Sequence, residues 1–380
     1  MQQNKISKKI SLALRMLAFI AEQRKIGDKL MANNNVLFIS DVRDEMGGNF
    51  EWVYREIDRN KWNVEVFLKD KQLHKETVQD AKLIAEKLRT AKYIFLEDVY
   101  NYLQFYTPLP GQEIIQLWHA AGAYKKFGFS RRNEQIKISP GHKKYTKAIV
   151  SADAIKSCYA EAYGISEDKI VATGIPRTDI FFNEEWKKYV RKKFVEEHPE
   201  TAGKKIILFA PTYRGTKVPM AYYDMNQVPI QKMREKFGDE YAFVTKLHPA
   251  AYNNMKLRGE KLGDYSDFWI DVSELRDIND ILPIADILIT DYSSVIFDWV
   301  LLNKPIIYYA YDKEDYQGDR GLYYTFDEYV YGNVASTGDE LIKAIEKADM
   351  MPSKRKEFRY RFMSACDGRA TQRVLKLLRR

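Results

Sequence analysis

Cysteine is nearly absent from this sequence. The two cysteines in 380 residues, Cys158 and Cys366, stand alone, with no CxxC pair. That excludes a disulfide-stapled scaffold, argues against a thiolate zinc site and favours a reducing cytoplasm. Histidine is scarce too: only His74, His119, His142, His198 and His248 occur. No apolar run approaches the ~20 residues that a spanning helix needs. The N-terminal stretch "NKISKKISLALRMLAFIAEQRKI" has neither the clean apolar centre nor the small-residue cleavage site of a signal peptide. No Walker loop or GxGxxG opens a helix. No pair of carboxylates at strand ends suggests glycoside hydrolysis. RRM, KH, zinc-finger and clear helix-turn-helix patterns are missing, so nucleic acid ranks low as a partner.

What remains is long, basic and globular. A chain of 380 residues exceeds one ordinary core and predicts two domains. Hydrophobic content of 45% with 30% charged residues reads as folded rather than disordered. The net charge of +8 and a pI near 9.0 suit an anionic partner: a phosphorylated substrate or an anionic lipid surface. Ile6, Ile10, Leu14, Leu17 and Ile20 fall near helical spacing, interleaved with Lys5, Lys8, Lys9, Arg15, Arg24 and Lys25. Such a helix can lie in a membrane interface or pack on its own domain. Both readings are open on the sequence.

Short β-branched and aromatic runs recur at residues 36–40, 64–68, 93–96, 114–118, 148–151 and 170–173. A second series follows at 206–210, 242–247, 268–272, 287–290 and 306–309. Helix-like stretches such as 76–88, 184–197 and 227–237 separate them. Strands alternating with helices predict parallel sheets covered on both faces, and two series predict two doubly wound domains. The boundary is expected near 183–203, with the basic helical tail crossing back over the first domain. Ligands of such sheets bind beyond the carboxyl ends of the strands, so two facing sheets would form a cleft.

The residues just after the strands are therefore the candidates. "EIIQLWHAAGAYKKFG" ends an apolar run on His119, followed by small residues that would leave room for a ligand and by Lys125 and Lys126. "DYSSVIFDWVLL" follows 287–290. Thr290, Asp291, Ser293 and Ser294 exceed what capping one helix requires, and a helix N-terminus with hydroxyls suits phosphate. Arg214 in "PTYRG" can fork onto a phosphate or carboxylate, or simply decorate a loop. "LHP" follows 242–246 and sets His248 at the strand end, with Lys246 just before it able to face the same cleft. Arg177 and Asp179 in "GIPRTD" can face a ligand or pair with each other. His74, His142 and His198 sit in polar segments expected to be exposed, and no role is assigned to them. A base on one wall and phosphate-binding groups on the other match transfer of a phosphate-linked group from a nucleotide donor.

These motifs also carry a resemblance. "LWHAAGAYKKFG", "GIPRTDIFF", "ILFAPTYRG", "KLHP" and "ILITDYSSVIFDWVLLNKPIIYYAYDKEDYQGDRGLYY", in this order, resemble the CDP-glycerol glycerophosphotransferase family of teichoic acid primases and polymerases. "VLFISDVRDEMGGNF" is similar to the family's first strand and loop, and "DGRATQRVLKLL" to its closing helix. The resemblance spans roughly residues 35 to 380. It implies a GT-B fold, and the expected division is a basic amphipathic N-terminal helix over 1–34 read from its spacing, an acceptor-side Rossmann-like domain over 35–182, a CDP-polyol-binding one over 183–350, and a C-terminal helix over 351–380. It implies transfer of glycerol or ribitol phosphate from a CDP-polyol to a hydroxyl of an undecaprenyl-diphosphate-linked acceptor, with release of CMP. The work would be done peripherally, at the anionic cytoplasmic face of the cell membrane, with no cofactor and no metal. His119 would be the base and His248 a donor-phosphate contact. Arg177, Arg214, Lys246, Thr290, Asp291, Ser293, Ser294, Asp298, Asp319 and Arg320 would lie on the donor side, and Lys125 and Lys126 would meet phosphates. Ala120–Ala121–Gly122 departs from the family's commonest Gly-Thr-Pro and is closer to ribitol-handling members. A GT-B glycosyltransferase or epimerase using a UDP-sugar is the alternative.

Overall fold

Each of the eleven apolar runs forms a parallel strand in the computed structural model of the chain. The structure describes residues 2–27, 32–69, 76–131, 138–215, 218–260, 262, 267–275, 277–316 and 321–379. The chain divides into two compact units. The first holds Met1–Ala120, Phe127–Arg177 and Arg369–Arg380; the second holds Ala121–Lys126 and Thr178–Gly368.

The first unit contains β1 (Ala32–Ile39), β2 (Asn63–Phe67), β3 (Ala91–Leu96), β4 (Glu113–Gln116), β5 (Lys147–Ile149) and β6 (Ile170–Val171). The sheet order is β2-β1-β3-β4-β5-β6, all parallel. Its helices are α1 (Gln2–Ile26), α2 (Gly48–Glu56), α3 (Val78–Thr90), α4 (Lys156–Tyr163) and, from the C-terminal segment, α12 (Ala370–Leu375). Phe38 on β1 and Phe95 on β3 are register partners with ring centroids 5.0 Å apart, both fully buried. Burial of such a side chain stabilises by about 1.5–3 kcal/mol. α3 starts where Thr77 and Asp80 form a reciprocal capping box.

α1 partly resolves the two readings of the N-terminal stretch. Arg15 pairs with Glu76 at 3.1 Å, Phe19 packs on Tyr102, and Gln23 donates to the Phe105 carbonyl at 2.8 Å. Ile10, Leu14 and Leu17, at i, i+4 and i+7, are exposed. One face docks on its own unit and the other is uncovered there. Among the described residues, no helix is long and apolar enough to cross a membrane.

The second unit contains β7 (Lys205–Phe209), β8 (Tyr241–Thr245), β9 (Trp269–Asp271), β10 (Ile287–Thr290), β11 (Ile306–Tyr309) and β12 (Asn333–Ala335). The order is β12-β11-β10-β7-β8-β9, again all parallel. Its helices are α5 (Glu184–Glu197), α6 (Ile230–Phe237), α7 (Pro249–Leu257), α8 (Val295–Val300), α9 (Lys313–Tyr316), α10 (Gly338–Lys347) and α11 (Pro352–Met363). β12 was not anticipated from the sequence. It is three residues at a sheet edge, with Val334 exposed.

Strand order reverses once in each sheet, between β1 and β3 and between β7 and β10. Such switch points open crevices at the carboxyl ends of the strands. In the first unit the crevice lies beside Ser40–Arg43 and Glu97–Asp98. In the second it lies beside 210–214 and 290–294, the "PTYR" and "DYSS" segments.

Candidate functional site

β4 stops at Gln116, two residues earlier than its apolar run, because Trp118 takes a left-handed backbone with φ +55°. The turn delivers His119 to the carboxyl edge with its side chain 49% exposed. There His119 Nδ1 lies 2.6 Å from Asp98 Oδ1, at the end of β3. A neutral ring in that pairing carries its proton on Nδ1, because a carboxylate only accepts. Nε2 is left with a lone pair, which is what a general base needs. Arg177 Nη1 donates to the His119 carbonyl at 2.5 Å, so the structure brings Arg177 to the histidine's own backbone.

Behind this pair lies a buried polar layer that sequence reasoning missed. Glu97 is 1% exposed, pairs with Arg43 and accepts from the Asn49 N–H at 2.6 Å. Burial pushes its carboxyl up to about 7, although Arg43 pulls the other way. Gly48 at the start of α2 has φ +56°, and a Cβ there would strike the Glu97 carboxylate. The signals were present but quiet: Asp98 ends the run "YIFLED", and Gln116 is a lone amide inside "EIIQLW". His142, expected at the surface, is buried against Tyr145 and Tyr163, and burial holds its ring down to about 4. His74 lies outside the described residues.

In the second unit the switch point is tightly bonded. Arg214 forks onto Asp312, Nε to Oδ2 at 2.5 Å and Nη2 to Oδ1 at 2.9 Å. Its Nη1 reaches Asp291 Oδ2 at 2.9 Å and the Thr212 carbonyl at 2.5 Å. The rings of Tyr223, Tyr292, Tyr311 and Tyr316 surround the guanidinium at 5.1–5.5 Å. Burial works against its charge, yet Asp291 and Asp312 more than compensate and hold its pKa above the ordinary arginine value. Asp291 Oδ1 also accepts from the Thr212 and Tyr292 amides, and Thr290 Oγ1 donates to the Ala210 carbonyl at 2.7 Å. Arg214, Asp291 and Thr290 thus tie the β7 and β10 loops together, and Asp312, far away in sequence, completes the tie. Asp298 is buried on α8.

Other candidates follow the strands of the same sheet. Among the described residues, Ser294 precedes α8 without a side-chain capping bond, and Ser293 Oγ accepts a long 3.4 Å contact from the Val295 N–H. Both serines are half-buried. Lys246 is 4% exposed, and its ammonium makes no hydrogen bond among the described residues. Burial lowers its pKa against the pull of Asp277, Asp271 and Asp280. His248 is exposed at the N-terminus of α7, and its Nδ1 accepts from the Ala250 N–H at 3.1 Å. Its neutral ring therefore carries the proton on Nε2, making that atom a donor.

The small residues after His119 do not leave space. Ala121 and Ala123 are buried, and a Cβ on Gly122, at φ +65°, would lie 2.3 Å from the Phe297 ring. Residues 121–126 are packed as part of the second unit: Lys125 bridges Leu322, Lys126 N–H donates to the Gly321 carbonyl, and Tyr329 donates to the Ala123 carbonyl. The Lys125 ammonium lies over Tyr316 at 5.3 Å. Asp319 and Arg320 lie outside the described residues. Among the described residues, no group of three or more His, Cys, Asp or Glu could hold a metal ion.

Two doubly wound parallel units, one with an exposed imidazole after its fourth strand and the other with hydroxyl, imidazole and lysine side chains after its strands, make a GT-B-type fold. The chain belongs to the CDP-glycerol:poly(glycerophosphate) glycerophosphotransferase family, whose profile matches residues 21–380. It is 37% identical over 348 residues to the teichoic acid poly(ribitol-phosphate) polymerase of Bacillus spizizenii, covering 90% of this chain and 56% of that one. The teichoic acid ribitol-phosphate primase of the same organism is 32% identical over 359 residues, covering 90% of each. The fold matches the solved wall teichoic acid polymerase TagF with a TM-score of 0.77, at 20% identity over 99% of this chain and 96% of that one.

Proposed function

We propose that this protein transfers a polyol phosphate from a CDP-polyol to a hydroxyl of a lipid-linked acceptor, releasing CMP. The observation that carries the reading is the His119–Asp98 pair, which leaves Nε2 of an exposed ring as a base. His119 Nε2 takes the acceptor hydroxyl's proton as the oxygen attacks the phosphorus that bears the polyol. The bond from that phosphorus to the CMP oxygen breaks, and CMP leaves with the electron pair. On the second unit, His248 Nε2–H, Lys246, Ser293 and Ser294 offer donors for the donor's diphosphate and the charge left on CMP. Arg214, Thr290 and Asp291 serve by holding those loops, and Arg177 by holding the backbone of the base. Lys125 and Lys126 remain charged contacts for substrate phosphates.

The names of the relatives favour CDP-ribitol as the donor to test first. The undecaprenyl-diphosphate-linked acceptor places the work at the cytoplasmic face of the membrane. There the exposed Ile10, Leu14 and Leu17 face of α1, with Arg24 and Lys25, would rest on anionic headgroups. The decisive assay measures CMP release from CDP-ribitol and CDP-glycerol with a lipid-linked acceptor, with product length read by mass spectrometry. Release that depends on acceptor and on His119 is expected. Thermal stabilisation by UDP-sugars alone, with no CMP from either donor, would sink the reading in favour of a UDP-sugar enzyme.

A further inference from the structure

Trp118 is a bulky residue in the left-handed region, a conformation that costs on the order of 1–3 kcal/mol and persists only when its surroundings impose it. Two buried amide side chains do so. Gln116 Oε1 accepts from the Trp118 N–H at 2.9 Å, and Gln116 Nε2 donates to the Asp98 carbonyl at 3.0 Å. One side chain thus holds the backbone on both sides of the His119–Asp98 contact. Asn49 Nδ2 donates to the Trp118 carbonyl at 2.6 Å and, at 3.4 Å, to that of Leu117. Asn49 Oδ1 accepts from the Arg177 N–H at 3.0 Å, and Arg177 in turn holds the His119 carbonyl. Both amides are 0% exposed, so neither can touch a substrate. Whatever they contribute to turnover must pass through the peptides they hold.

We infer that Asn49 and Gln116 are positioning residues for His119, clamping the strained Trp118 peptide so that the ring meets Asp98 and keeps its Nδ1–H tautomer. The inference rests on His119 being the base, but its main readout needs no substrate. With only five histidines, the full chain can be labelled with ¹⁵N-histidine. Long-range ¹H–¹⁵N spectra at about pH 8, where imidazoles are neutral, then report each tautomer. The His119 signals are identified by their loss in His119→Ala. In the wild type His119 should show the Nδ1–H form and His248 the Nε2–H form. In Asn49→Ala and Gln116→Met, His119 should move to a mixture of tautomers while His248 stays unchanged. The kcat for CMP release should fall at least about tenfold with KM within about twofold, the pattern of a displaced base rather than a lost binding contact. If Asn49→Ala does not fold, as judged by the His248 and His142 signals, Gln116→Met decides alone. A folded variant whose His119 spectrum matches the wild type overturns the inference, as does an Nε2–H wild-type ring. Altered tautomers without CMP release from any form would instead refute the proposed reaction and leave the clamp standing.

Discussion

His119 and His248 each follow a parallel strand, and each spends Nδ1 on a hydrogen bond within its own unit. His119 donates Nδ1–H to a carboxylate, whereas His248 accepts from a backbone amide at a helix start. The first leaves Nε2 as an acceptor and the second leaves it as a donor. Two rings of one chemistry are thus set for opposite work by their second contact. The edges around them differ as well. In the first unit an exposed ring pairs with a half-buried carboxylate over a buried polar layer. In the second the switch point is welded by a buried Arg214 between two carboxylates.

The largest effect should come from breaking the tautomer contrast. His119→Gln should lose about 10²–10⁴-fold in kcat, as much as His119→Ala, because an amide cannot serve as the base. His248→Gln keeps an N–H donor and should stay within about tenfold of the wild type. Equal losses at both positions in CMP-release kinetics would erase the contrast. Next, Arg214→Ala leaves Asp291 and Asp312 facing each other without their cation and should destabilise the fold by about 3–5 kcal/mol in urea titration. Arg177→Ala, at a half-buried position, should cost much less. A smaller effect tests the buried layer of the first unit. The folded-state pKa of Glu97, about 7, lies above its ordinary 4.5, so the folded state holds an extra proton between those values. Its contribution to stability is therefore lost as pH rises through that window, by about 3 kcal/mol. His142, held at about 4 against an ordinary 6.5, does the reverse and loses stability as pH falls from 6.5 towards 4. The two slopes oppose each other in the overlap. Glu97→Gln should unmask the acid-side loss and flatten the fall towards pH 7, read as ΔG of unfolding against pH. The smallest effect on stability belongs to Leu14→Ser with Leu17→Ser, within about 0.5 kcal/mol each because both side chains are exposed. Binding to vesicles containing anionic lipid should nonetheless weaken in flotation assays.

The sheets were legible because strands buried on both faces read as continuous apolar runs. β12 was not, since Asn333 and the exposed Val334 carry no such signal. His119 and His248 stood out through scarcity and their places after strands. Asp98, Asn49 and Asp312 did not, because their meaning depends on partners 21, 69 and 98 positions away. The Ala120–Ala123 stretch was read in the wrong direction. Small residues mark room for a ligand or close packing with equal force in a sequence, and here Phe297 fills the space.

The division of the chain has a further consequence, for its synthesis. The first unit includes residues 369–380: Arg373 binds the Thr173 carbonyl at 2.7 Å, and Tyr93 takes the Arg379 N–H at 2.7 Å. Residues 178–368, roughly 190 of them, are translated in between. At ~5–20 residues per second the ribosome spends about 10–40 s on that stretch. Throughout that interval the nascent first unit lacks its final helix and the contacts that helix makes. It must wait, open at that edge, for the segment that closes it.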